Sequence, residues 1–224
     1  MIKDKYMTVL KEGITKYEEK KSIFISSVAP VSSEQEALDY IKKKREEYKD
    51  ASHNTYGYFV IGNQEYSRYS DDGEPSGTAG LPIMDTIIKR NIRNLVIVVT
   101  RYFGGKQLGA GGLIRAYSKS ASIGIDVAIP VYKKLFNIIS IKIEYTLLGK
   151  LQYFFEQEGY TVKDIEYGDK VKVYVYVPND EEDEFINRIN DSTNGKIEEI
   201  ASNEKVYLHI DENNKIILEN NHVY

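Results

Sequence analysis

The sequence predicts an α+β fold in two domains, and three observations predict it. Charge is divided unevenly: residues 1–132 hold 19 Lys and Arg against 16 Asp and Glu, whereas residues 133–224 hold 11 against 18. In the first part, an apolar run from Leu95 to Val99 feeds a glycine-rich stretch and then a helical pattern. In the second, the periodicities between residues 137 and 200 run strand, helix, strand, strand, helix, strand. That is the split-βαβ order of a ferredoxin-like domain. The first domain is placed at residues 1–132, the ferredoxin-like domain at 133–202, and a C-terminal hairpin extension at 203–224.

Each element has its own reason. Residues 6–10 and 14–18 read as short strands turning at Gly13, and Ser22–Val28 as a stronger one ended by Pro30. Ile23, Ile25 and Val28 suit a pleated surface there. Ser33 with Glu36 three residues on is a capping-box signature. It opens a helix to about Lys49, with Ala37, Leu38, Ile41 and Tyr48 inward. The run Lys42-Lys43-Lys44-Arg45 reads as a solvated face, because Glu46 and Glu47 follow it. Thr55–Ile61 is the next strand. Pro82 suits the first turn of a helix striped by Ile83, Met84, Ile87 and Ile88. Leu95–Val99 is apolar throughout, so a central strand covered on both faces. A helix from about Leu113 buries Leu113, Ala116, Tyr117, Ser120, Ala121 and Ile125. Residues 128–136 read as a linker. The second domain then runs strand 137–145, helix 146–158, strands 161–167 and 170–177 about a Gly168-Asp169 turn, helix 180–190 and strand 196–200. Val171, Val173, Val175 and Val177 alternate with Lys172, Tyr174 and Tyr176, giving one core face. A last hairpin pairs 205–210 with 215–218.

The stretch from Arg101 to Lys119 is the chemical centre of this reading. Five of the nine residues 104–112 are glycine, including Gly104, Gly105, Gly111 and Gly112. Strand, glycine loop and helix together aim backbone N–H groups at an anion. Between Asp85 and Asp126 lie seven bases and no acid. Arg101, Lys106, Arg115 and Lys119 bracket the loop, and Tyr102, Phe103 and Tyr117 are aromatic surfaces for stacking. Arg115 opposes the helix dipole, which points to a bound anion or an acidic partner; Asp71, Asp72 and Glu74 are the internal candidates.

Those acids sit in Ser70-Asp71-Asp72-Gly73-Glu74-Pro75-Ser76-Gly77-Thr78-Ala79-Gly80. They could hold a divalent cation such as Mg²⁺ or move protons. The spacing lacks the alternation of a calcium loop, so a turn whose acids clamp the basic loop is preferred, and no cofactor is expected. His53 stands just before its strand, where a structural role outweighs proton transfer.

Cysteine is absent, which excludes disulfides, thiolate metal sites and a cysteine nucleophile. The histidines are His53, His209 and His222, too few for a histidine metal cluster. The net charge of −4 argues against global attraction to nucleic acid, so anion binding must be local. The first residues lack an apolar signal core and no run approaches a membrane span, so the expectation is a cytoplasmic protein without a membrane partner.

Ala51-Ser52-His53-Asn54, the acidic segment 70–80, Val99-Thr100-Arg101-Tyr102-Phe103-Gly104-Gly105 and Leu108-Gly-Ala-Gly-Gly-Leu-Ile-Arg-Ala-Tyr117 occur in that order. The combination closely resembles the IMPACT (YigZ-type) family across residues 15–130, and residues 137–200 resemble the small second domain of bacterial members. The resemblance implies a two-layer α/β sandwich of the type found in a small-subunit ribosomal protein and in domain IV of elongation factor G. It implies that eukaryotic members regulate translation through a protein partner, and no settled reaction for bacterial ones. The leading expectation is a translation-linked binding protein rather than an enzyme. It would bind RNA or a ribosome-associated protein through the basic glycine loop. The alternatives are a hydrolase-like enzyme on an anionic small molecule and a protein–protein adaptor.

Overall fold

The computed structural model describes residues 4–62 and 64–217. The chain divides into two compact units, residues 1–132 and 133–224. In the first, β1 (Lys5–Val9) precedes a sheet of β2 (Gly13–Glu19), β3 (Ser22–Pro30), β4 (His53–Ile61), β5 (Glu65–Ser70) and β6 (Leu95–Tyr102). The order is β2-β3-β6-β4-β5, antiparallel throughout. Its helices are α1 (Glu34–Glu47), α2 (Gly80–Lys89) and α3 (Ala110–Val127).

The central strand β6 explains the layering. Leu95, Ile97 and Val99 share one core with Ile83 and Ile87 of α2 and Leu113, Tyr117 and Ile125 of α3. Val96 and Val98 point the other way, into a smaller core with Ala37 and Ile41 of α1. The unit is thus an α/β sandwich of sheet and α2–α3 layer, with α1 laid on the reverse face. An apolar run without alternation is what double coverage requires.

Local readings need correction in five places. Glu65–Ser70 is a strand that the sequence hid, because β5 is an edge strand and its residues are mostly exposed and polar. Helix α3 begins at Ala110, so Gly111 and Gly112 lie in its first turn. Ser33 Oγ accepts the Glu36 amide at 3.2 Å, but the Glu36 carboxylate reaches back to the Ser32 amide and hydroxyl instead of completing the box at Ser33. Lys44 is no part of a solvated face: it is 2% exposed, with Nζ 3.2 Å from Glu12 and 2.9 Å from Glu47. Leu38, expected inward, is exposed.

The second unit follows β7 (Pro130–Ile143), α4 (Tyr145–Glu158), β8 (Thr161–Tyr167), β9 (Val171–Pro178), α5 (Glu182–Thr193) and β10 (Glu199–Ile210). Its strands are ordered β10-β7-β9-β8, the arrangement of a ferredoxin-like domain. The four valines of β9 are fully buried against Ile139, Ile141, Leu151, Phe155 and Phe185. Residues 130–136, read as linker, belong to β7; its proline is tolerated as the first strand residue. The strands expected at 196–200 and 205–210 are one continuous β10. Beyond it, Asp211–Asn214 turns the chain back to a single bridge between Ile210 and Ile216. Leu218 and His222 lie outside the described residues. No described helix is long and apolar enough to cross a membrane.

Candidate functional site

The residues singled out by sequence do gather at one end of the first unit, where β6 leaves the sheet and α3 begins, but they divide into a buried cluster and an exposed basic face. Arg101 is the main correction. It is 5% exposed, and its guanidinium donates to Glu74 Oε1 at 2.6 Å and lies 3.4 Å from Ser22 Oγ. It sits on the last inward register position of β6, opposite Phe24 and His53, so the core and not solvent receives it. Tyr117 is also unavailable for stacking: it is fully buried, and its hydroxyl donates to the same Glu74 oxygen at 2.7 Å. The helical stripe 113, 116, 117, 120, 121 already signalled that burial. Ser22 was missed, since nothing in a strand-starting serine marks it as the partner of a loop 82 residues away.

The three acids separate rather than converge. Asp71 accepts the amides of Gly77, Ala79 and Gly80 at 2.8–3.0 Å, so it holds the loop that enters α2. Asp72 takes Arg45 at 2.8 Å and the Asn54 amide at 2.6 Å. Only Glu74 turns toward the basic loop. None pairs with Arg115, the partner considered for them, because each is already committed. His53 Nδ1 lies 2.8 Å from the Asp72 carbonyl oxygen, which fixes the tautomer with Nδ1–H donating and leaves Nε2 3.9 Å from Glu74. Among the described residues no group of three or more His, Asp or Glu side chains is arranged to hold a metal ion.

The glycines have distinct duties. A Cβ at Gly104 would lie 2.0 Å from the Lys21 carbonyl carbon, while the Gly104 amide donates to Ser22 Oγ at 3.2 Å. Its role is close backbone packing between the β6 exit and the β2–β3 turn. Gly105 and Gly109 have φ of 80° and 69°, the left-handed region that favours glycine. Gly104→Ala is expected to lower stability by about 2–3 kcal/mol, because backbone cannot yield as a side chain can. Urea unfolding checks this; a loss below about 0.5 kcal/mol would show that the two segments separate freely.

The exposed face comprises Lys106, Arg115 and Lys119, joined by Lys20 from the β2–β3 turn. Lys20, Arg115 and Lys119 line a concavity of about 210 Å³ with Tyr17, Glu19 and Leu108. Lys119 Nζ stands 4.6 Å above the Tyr17 ring, and Glu19 accepts the Tyr17 hydroxyl at 2.6 Å. Among the described residues none of these bases is paired with a carboxylate. The start of α3 has no side-chain cap and no acid in its first turn, so its amides and dipole add to the positive field. Lys20 was not anticipated, being far away in sequence. Tyr102 donates to Asp50 at 2.9 Å, and Phe103 is 51% exposed.

A second hollow, about 320 Å³, lies on the other side of Leu108, with Glu74, Arg101, Phe103 and the start of α3 in its wall.

Residues 20–125 match the family model of the Impact N-terminal domain, and residues 141–196 match a domain of unknown function, DUF1949. IMPACT family member YvyE of Bacillus subtilis is 40% identical over 203 residues, covering 91% of this chain and 93% of that protein. IMPACT family member YigZ of Escherichia coli is 29% identical over 188 residues, covering 83% and 92%. A solved structure described as the crystal structure of an hypothetical protein superposes with a TM-score of 0.58 at 25% identity, over 91% of this chain and 99% of that one. With so close a relative along nearly its whole length, the chain belongs to the IMPACT family.

Proposed function

We propose that this chain is a translation-linked protein that binds RNA, on or near the ribosome, through the concavity between the β2–β3 turn and α3. The observation that carries the reading is the convergence of Lys20, Arg115 and Lys119 on one hollow whose lining has a single acid, Glu19, which accepts the Tyr17 hydroxyl and forms an ion pair with none of the three. Three cations around one carboxylate leave the hollow net positive, and an external polyanion relieves their mutual repulsion. Phosphates fit because the first turn of α3 carries no acid, so the helix dipole adds to the field of the three cations. The link to translation comes from the family resemblance and is an analogy; the RNA contact rests on the charges.

Three or four phosphate contacts predict a log–log salt slope of about −2 to −3 for single-stranded RNA. The Arg115→Glu/Lys119→Glu variant should bind at least tenfold more weakly, with the slope flattened by about 1.4 for the two lost cations. Both side chains are exposed, so the fold should survive. Titration of single-stranded and structured RNA across a salt series is the check. Parent-like binding by that variant would end this reading.

A further inference from the structure

We propose that the 320 Å³ hollow beside Glu74 receives one unstacked RNA base that carries an exocyclic amino group, as cytosine and adenine do. The inference rests on the RNA-binding reading and specifies what lies next to the backbone track. The two hollows share Leu108 as a wall, so a strand whose phosphates occupy the basic concavity has a base within reach of this one.

The wall selects the ligand by charge. A small anion would meet the Glu74 carboxylate, and a cation would meet the Arg101 guanidinium. With both charges in one wall, a neutral polar ring is the occupant that opposes neither. Phe103 supplies its stacking surface: it lines this hollow and is half exposed, with the Arg101 guanidinium 5.5 Å from its ring centroid. Single-stranded nucleic acid is held in this way, by bases stacked on aromatic rings and read along their edges.

Hydrogen-bonding capacity then selects the base. Glu74 Oε1 is occupied by Arg101 and Tyr117, whereas Oε2 accepts no bond from a described residue. The occupied oxygen holds the carboxylate in place and leaves one acceptor for an amino group. Arg101 Nε is enclosed in the wall and is not offered to the occupant, so the carboxylate alone reads the base edge. Cytosine presents that amino donor. Uracil presents a carbonyl where the carboxylate needs a donor. The volume, at the small end of ligand sites, admits one base.

The test compares ten-residue oligocytidylate with oligouridylate, equal in charge and length, on the full chain. Cytidylate should bind about tenfold more tightly, the discrimination of one well-made base contact. Phe103→Ala, at an exposed position, should bring cytidylate down to the uridylate level. Equal binding of the two by the parent, unchanged by Phe103→Ala, overturns the base pocket and leaves the basic concavity standing. Binding of neither at low salt overturns the concavity reading, and the pocket with it.

Discussion

Replacing Glu74 by Gln is expected to destabilise the first unit by about 3–5 kcal/mol, the cost of leaving one member of a buried ion pair alone. The side chains of Arg101 and Glu74 are 6% and 3% exposed, and their 2.6 Å contact is the only charge compensation the guanidinium has among the described residues. Arg101→Met should cost a similar amount, leaving a carboxylate with Tyr117 as its sole hydrogen-bond donor among the described residues. The double variant Glu74→Gln/Arg101→Met should recover much of the loss, since it removes both desolvated charges together. The coupling between the two sites, read by urea unfolding of the four proteins, is the quantity of interest. Additive effects within about 0.5 kcal/mol would show that the pair contributes nothing as a pair. The same cycle separates stability from binding. Arg101 cannot contact phosphate from where it sits, so Arg101→Met should leave the salt slope of RNA binding unchanged.

This pair also marks how far the sequence could be read. The apolar run Leu95–Val99 displayed its double burial without ambiguity, and Val171 to Val177 showed their single buried face, because periodicity is a local property. Ferredoxin-like order in the second unit followed from such local signals taken in sequence. Edge strand β5 was illegible for the opposite reason: a strand with little buried carries little pattern. The same holds for β7, whose first residues were mistaken for a linker because Pro130 and the two lysines obscure the alternation.

At the site, the glycines, bases and acids were legible as a group, but their partners were not. A base in sequence is an outward charge by default; Arg101 and Lys44 are inward because strand and helix registers place them over Glu74 and over Glu12 and Glu47. Register depends on pairings across 27 residues in one case and 32 in the other, which no local window contains. Lys20 joined the basic face for the same reason: the β2–β3 turn reaches α3 only once Gly104 lets the backbones touch.

Stability should fall steeply above pH 10, by about 3 kcal/mol per pH unit from two tyrosines alone. Burial, reinforced by the Glu74 carboxylate, pushes the Tyr117 phenol far above its ordinary value of 10.0. Burial and the Glu34 carboxylate, which accepts its hydroxyl at 2.6 Å, do the same to Tyr58. Both side chains are fully buried. A group whose folded pKa is raised keeps its proton when the unfolded chain has lost it. Its contribution is therefore complete below about pH 10, where both states are protonated, and declines as pH rises through that value. Each such tyrosine contributes a slope of about 1.4 kcal/mol per unit. Lysines also titrate in this range, so the decisive comparison is between the parent and Tyr117→Phe. The variant should lose about 1 kcal/mol at neutral pH with its hydrogen bond to Glu74. Above pH 10 its stability should decline less steeply than the parent's by about 1.4 kcal/mol per unit, so that the two curves approach and cross. Parallel curves would mean that the Tyr117 hydroxyl ionises as readily in the folded protein as in the unfolded chain, and that the Glu74 carboxylate is not held where the base pocket needs it.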